Sequence, residues 1–190
     1  MKNITKEQES VLLLFKDISA QHNSRSIGKA IGISHAGAFK IMRKLSALQV
    51  VKGKRIGNTV VFSFNFSNPT ASKMIELALA MESLNYKRWL EEFKGLKGIS
   101  LFVVLFGSIL IKEKEANDID LLVVAERRCF NKIQKVIEER NKISSRRIHL
   151  LLQSAQDFEK DIKARNKAMA SIIKSGIVLY GYENYMGAVR

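Results

Sequence analysis

Two aspartates offer the clearest chemistry in the chain. Asp118 and Asp120 alternate with Ile119 and Leu121 at the head of an apolar, β-branched run, Ile119–Val124. In a strand, residues i and i+2 project to the same face. This spacing therefore presents two carboxylates together and turns Ile119 and Leu121 to the other side. Paired carboxylates suit a hard divalent cation such as Mg²⁺, which prefers oxygen ligands and bridges phosphates. Upstream, a second strand-like run, Ile99–Phe106, ends in Gly107-Ser108. A glycine lets backbone come close to a phosphate, and the Ser108 hydroxyl can donate to a phosphate oxygen.

Phe-Gly-Ser, nine further residues, then Asp-Ile-Asp-Leu resembles the signature of the minimal nucleotidyltransferases of the DNA polymerase β superfamily. There an apolar residue, Gly-Ser and a gap precede Asp-x-Asp on a strand. The later segment SIIKSGIVLYG is similar to the closing helix and strand of that family, and the resemblance spans about residues 88–182. It implies an α/β (α+β) domain with a mixed sheet and helices. It also implies Asp118 and Asp120 as catalytic, metal-holding residues, Gly107, Ser108 and Lys112 as nucleotide contacts, and Mg²⁺ and a nucleoside triphosphate as cofactor and ligand or substrate. Members of the minimal type include antitoxins that nucleotidylate a partner toxin, so a protein acceptor is implied as one option.

Three departures stand out. The family's third carboxylate lies on a later strand; in the matching RRIHLLLQ the aligned position holds His149. The gap after Gly-Ser commonly carries Ala-Arg-Gly, where this chain has Ile109-Leu110-Ile111-Lys112. The gap is also a residue short. Imidazole is a poor match for Mg²⁺, so His149 reads as a half-buried strand residue before it reads as a ligand. Asp157, in SAQD, reads as part of a helix cap and not as a metal ligand.

Stepping toward the N-terminus, the elements change character. TKEQESVLLLFKDISA (5–20) carries Val11, Leu12, Phe15 and Ile18 at helical spacing, with Thr5 and Gln8 set for a capping box. After a polar break, SIGKAIGIS places Ile27, Ala30 and Ile31 on one face and Gly32 near the stop. Ser34 then caps a helix with Ala38, Ile41, Met42, Leu45 and Leu48 facing inward. A short helix, a Gly-containing turn and a longer helix make a helix-turn-helix. VVKGKRIGNTVVFSFN follows as a β-hairpin, with strands at Val50-Val51 and Thr59–Phe64 and a tip over residues 52–58. The order resembles winged-helix transcription regulators over about residues 5–66. It implies double-stranded DNA as partner, met by Ser34, His35, Lys40, Arg43 and Lys44 on the second helix and by Lys52, Lys54, Arg55 and Asn58 on the hairpin. The alternative is a winged helix used for protein contact, with the basic residues as a solvated face.

Charge supports a polyanionic partner. The chain has 190 residues and a formal net charge of +14; residues 1–68 hold 11 basic and 3 acidic residues, the denser share. Neutralising phosphates releases condensed counterions, so such a surface attracts nucleic acid. Pro69, the only proline, marks a boundary. Beyond it a helix is expected over Ala71–Phe93, with Met74, Leu77, Ala78, Met81 and Leu84 as an apolar stripe that either pairs two copies into a homodimer or packs on its own domains. Trp89 and Phe93 belong to the following core. The expected organisation is a winged helix-turn-helix domain at 1–68, a connector at 69–93 and a nucleotidyltransferase-like domain at 94–190. One cysteine, Cys129, excludes an internal disulfide. No apolar run nears the roughly 18 residues of a membrane span, and the N-terminal residues lack a signal-peptide pattern, so a cytoplasmic location is expected. Three functions remain open: a DNA-binding regulator with a nucleotide site, an active nucleotidyltransferase, and a purely structural DNA-binding protein.

Overall fold

A computed structural model of the chain describes residues 4–17 and 20–190. The chain divides into two compact units, Met1–Glu82 and Ser83–Arg190. In the first, helix α1 (Lys6–Lys16) opens with the expected capping box. Thr5 Oγ1 accepts from the Gln8 amide at 3.2 Å, and the Thr5 amide donates to Gln8 Oε1 at 2.8 Å. The helix buries Val11, Leu12 and Phe15. It ends at Lys16 with Asp17 as its C-cap, short of residue 20; Ile18 lies outside the described residues.

Helix α2 (Ser24–Ile31) stops at Gly32, whose φ of 69° is the left-handed turn that glycine adopts without a Cβ penalty. Of its expected inner face only Ile27 is buried, and Ala30 is exposed. Helix α3 (His35–Ala47) is capped by Ser34, whose Oγ accepts from the Gly37 amide at 3.1 Å. Ala38, Met42 and Leu45 are its buried side. Leu48, expected inward, is exposed, because the helix ends at Ala47 and helical spacing no longer directs that side chain.

Strands β1 (His22–Asn23), β2 (Val51–Ile56) and β3 (Thr59–Phe64) form an antiparallel sheet in the order β1-β3-β2. The hairpin tip is shorter than expected. β2 runs to Ile56, and only Gly57 and Asn58 make the turn, Gly57 at a φ of 57°. Two-residue hairpin turns need such positive φ values. Lys52 and Lys54 are thus strand residues of one face, and Arg55 belongs to the other. On Arg55's side the hairpin is anchored by Phe64, which packs edge-on to Phe15 at 5.5 Å.

Helix α4 (Pro69–Ser83) starts on the proline, whose missing N–H costs nothing at a first helical position. Its buried apolar residues are Ala71, Ile75, Ala78 and Leu79, while Leu77 and, just beyond the helix, Leu84 are exposed. The expected stripe was offset because this helix is apolar on more than one side, and spacing alone does not choose between them. Nor does the helix continue to Phe93. A 3₁₀ turn over Leu84–Tyr86 interrupts it before α5 (Lys87–Glu92); Asn85 in the break is a residue type that competes for backbone groups. The boundary accordingly falls after Glu82, whose carboxylate meets Lys16 Nζ at 2.6 Å within the first unit.

The second unit is built on a four-stranded mixed sheet, order β6-β5-β4-β7, formed by β4 (Phe102–Phe106), β5 (Asp118–Val124), β6 (Arg147–Gln153) and β7 (Ile177–Tyr180). β5 is parallel to β6, and the other pairings are antiparallel. Leu121, Leu122, Val123 and Val124 are all buried, as in strands covered on both faces. One face packs Trp89 and Phe93 with Ile133 and Ile137 of α6 (Phe130–Ile143). On the other, Phe102 lies edge-on to Phe158 of α7 (Ala155–Lys163) and to Tyr185 of α9 (Tyr182–Val189), at 5.1 and 5.4 Å. α8 (Lys167–Ser175) leads into β7. After β7, Gly181 has a φ of 76°, and a Cβ there would overlap the Leu101 carbonyl oxygen. The hydroxyl of Tyr180 donates to the Leu90 carbonyl. The closing Leu-Tyr-Gly is therefore a structural clasp.

Candidate functional site

The face carrying Phe102 becomes polar where β5 begins. Ile119 and Leu121 are in the core, and Asp118 and Asp120 emerge on the opposite side as the strand period requires. The register brings a third side chain to them. Asp120 is paired with Phe106 on β4 and with His149 on β6. His149 Nδ1 lies 3.5 Å from an Asp120 oxygen, and Nε2 lies 3.7 Å from an Asp118 oxygen. The imidazole thus faces both carboxylates, half exposed. Arg147, paired with Asp118, shares this face.

Gly107 closes the site at the end of β4. Its φ is 82°, and a Cβ there would overlap Asp120 Oδ2 and stand 2.9 Å from Asp120 Cγ. The glycine of Gly-Ser is needed by the aspartate as much as by any ligand. Ser108 is exposed and begins a 3₁₀ turn, Ser108–Leu110. Its carbonyl accepts from the Lys112 amide at 2.9 Å, which fixes the start of the charged segment. The Lys112 ammonium is held by Glu115 at 2.8 Å and does not reach the carboxylate pair. A groove of about 540 Å³ adjoins Gly107, walled by Tyr86, Phe106, Leu110 and Ile111 on one side and by Ser171 and Ile172 of α8 on the other. Its walls are largely aromatic and aliphatic.

Two carboxylates on one face fit a hard cation; the imidazole in the third place supplies nitrogen where Mg²⁺ takes oxygen. Among the described residues no group of three acidic, histidine or cysteine side chains is placed to hold a metal ion, the Asp118–Asp120–His149 trio included. Asp157 is elsewhere in role: it sits in the first turn of α7 and accepts from the capping Ser154 hydroxyl at 2.5 Å. That hydrogen bond, with Arg127 nearby, holds its carboxyl below the usual range.

In the first unit, α3 shows His35, Phe39 and Arg43 as one stripe beside Asn58, Thr59 and Val60 of the hairpin, across a groove of about 530 Å³. Arg25 at the start of α2 joins its rim. Phe39 is 52% exposed, a large apolar surface among cations. Arg25, Thr59 and Val60 escaped the sequence reading, since only the fold brings α2, α3 and β3 together, whereas the spacing of His35 and Phe39 already sets Phe39 at the edge between core and groove. Lys40 and Arg43 are exposed on α3, whereas Lys44 is paired with Glu7 of α1 at 2.8 Å. Arg55 donates from Nε to the Gly57 carbonyl at 3.2 Å, bracing the turn.

Residues 90–185 match the family described as Polymerase beta, Nucleotidyltransferase, half of the chain. No curated protein matches it. Among solved structures, a mutant of Lactococcus lactis ZitR aligns at 21% identity and a TM-score of 0.34, over 47% of this chain and 62% of that one, too distant a likeness to carry an argument. Among the described residues no helix is long and apolar enough to cross a membrane.

Proposed function

The chain belongs to the polymerase beta nucleotidyltransferase family, and on that premise we propose that it is a DNA-binding regulator whose second unit holds a nucleotide with Mg²⁺. One observation carries the nucleotide part: Asp118 and Asp120 share a face against Gly107, with His149 in register as the third group. Mg²⁺, when bound, would neutralise triphosphate oxygens beside the carboxylates and polarise the phosphoryl group. The chain's own groups do the rest. Asp118 and Asp120 hold the charge that selects a cation. Gly107 keeps the backbone low, Ser108 donates to a phosphate oxygen, and the groove beside Phe106 takes the nucleoside. Lys112 serves as a phosphate contact only on leaving Glu115.

The DNA part rests on the helix-turn-helix, its basic hairpin and the density of positive charge in residues 1–68. Ser34 and His35 at the start of α3 read bases, with Lys40, Arg43, Lys52, Lys54, Arg55 and Asn58 on phosphates. Paired half-sites fit a homodimer, and a cytoplasmic location goes with a DNA partner.

The second reading is an active nucleotidyltransferase that passes a nucleoside monophosphate to a protein, nucleic acid or small-molecule hydroxyl. The close Gly107–Asp120 packing favours it; His149 counts against it, because a carboxylate in that place would also serve the attacking hydroxyl as base. Incubation of the full chain with each labelled triphosphate and Mg²⁺ separates the readings. Magnesium-dependent binding without transferred label is the result expected of the regulator. Label on any acceptor establishes the transferase instead.

A further inference from the structure

Behind the carboxylate strand, on the opposite face of the sheet, lies a second polar pocket of about 240 Å³. Ile119, the residue between the two aspartates, forms part of its wall. Three guanidinium groups from three elements surround it: Arg88 of α5, Arg140 of α6 and Arg146 in the loop before β6. The only carboxylate in the wall is Glu92, which meets Arg140 at a loose 3.7 Å. Arg88 is satisfied from outside by Glu113 at 3.1 Å and lies over the Trp89 ring, 4.8 Å from its centroid. Arg146 is half-buried and, among the described residues, meets no carboxylate at ion-pair distance. Its loop is braced locally: the Arg146 amide donates to Ser144 Oγ at 3.2 Å, and that hydroxyl donates to the Arg146 carbonyl at 2.7 Å.

A half-buried guanidinium without a counterion is costly; with Arg88 paired to Glu113 and Arg140 to Glu92, the charge of Arg146 is left over and the cavity is net positive. Guanidinium forks match phosphate oxygens two at a time, and such bonds are the strong ones. The volume admits a phosphate or a pyrophosphate but not a whole nucleotide. We propose that this pocket binds a small phosphate-bearing anion, held chiefly by Arg146 and Arg140 with the Ser145 hydroxyl as a further donor. The site is separate from the Asp118–Asp120 face and does not depend on a nucleotide there.

Trp89, the sole tryptophan, is buried in the wall of the pocket and reports on it. The full chain is titrated with inorganic phosphate and, separately, with pyrophosphate, without divalent cations and at constant ionic strength. Tryptophan emission and titration calorimetry are read together, with sulfate and chloride as controls. A saturable response to one or both phosphates is expected, and the stronger of the two identifies the anion. Arg146→Ala should raise the half-saturation concentration at least about tenfold, in line with losing a charged hydrogen bond. Arg140→Gln, which keeps part of the side chain and its ability to hydrogen-bond while removing the charge, should raise it by a smaller factor, and circular dichroism checks that both variants fold. The proposal is overturned by no saturable signal in either measurement at about 10 mM, tenfold above a millimolar dissociation constant. It is equally overturned by variants that bind like the parent chain, or by chloride competing as well as phosphate.

Discussion

Gly107 in the second unit and Lys40 in the first stand at opposite extremes of what one residue can carry. Gly107 has a φ of 82° and no room for a Cβ, because Asp120 occupies that space. Lys40 stands exposed on α3 among several other cations of the same face and hairpin. The second unit concentrates its chemistry in a few contacts whose geometry is over-determined by the sheet. The first spreads its chemistry over many charges, each replaceable by its neighbours. Substitutions should therefore act as a switch in one unit and as a gradient in the other.

Gly107→Ala tests the switch most severely. The methyl must displace the Asp120 carboxylate and hold a left-handed backbone, and the change is expected to cost roughly 2–4 kcal/mol of stability. Magnesium-dependent triphosphate binding should fall by about a hundredfold or more, since Asp120 loses its place. Thermal denaturation and calorimetry check both. Binding that survives intact would show that the site lies elsewhere. Next in size is the double change Asp118→Asn with Asp120→Asn. Unscreened carboxylates repel a triphosphate, and only a bridging cation reverses that sign. The pair of amides should abolish the Mg²⁺ requirement and remove about one to two orders of magnitude of affinity. If Mg²⁺ still enhances binding by its former factor, these two aspartates do not hold it.

The same contrast decided what could be read from the amino acids. The pairing of Asp118 and Asp120 follows from a period of two, and the core position of Ile119 and Leu121 follows with it. Ser34 as a cap, the Thr5–Gln8 box and the placing of Trp89 and Phe93 in the core are equally local. Local rules failed where two answers had similar energy. Helix α4 has more than one apolar side, and Leu77 ended on the exposed one, with Leu84 exposed just beyond the helix. The hairpin ladder extended to Ile56 because a Gly-Asn pair suffices for the turn, leaving Lys52 and Lys54 in a strand. The groove at Phe39 and the arginine pocket at Ile119 depend on residues far apart in sequence, and no spacing rule joins them.

His149→Asp sharpens the comparison from the other side, by adding to the concentrated site. An aspartate in register with Asp120 supplies the oxygen ligand that imidazole lacks. Magnesium affinity should rise by roughly tenfold, the usual scale for one favourable charge at close range. Calorimetry with Mg²⁺ alone reads this without reference to turnover. An unchanged or weaker affinity would mean that β6 does not contribute the third ligand, whatever its register.

The smallest expected effect lies in the first unit and separates two lysines on the same helix. Lys40 and Lys44 are both exposed on α3, but Lys44 is held by Glu7 at 2.8 Å. Each lysine that neutralises a phosphate adds nearly one to the slope of log affinity against log salt. Lys40→Ala should therefore lower that slope by about 1, with a uniform loss across DNA sequences. For Lys44 the phosphate must first displace Glu7, and removing the lysine also frees an acid near the interface. An exposed pair of this kind is worth less than about 1 kcal/mol to folding, so Lys44→Ala should leave the fold unchanged. Its slope change should be well below that of Lys40→Ala, although its affinity falls slightly from the uncovered Glu7. Adding Glu7→Gln to Lys44→Ala should recover that loss, and Glu7→Gln alone should free Lys44 and steepen the slope. Equal slope changes for the two lysines would show that the ion pair opens on DNA, and that charge on this helix is spread more evenly than its resting contacts suggest.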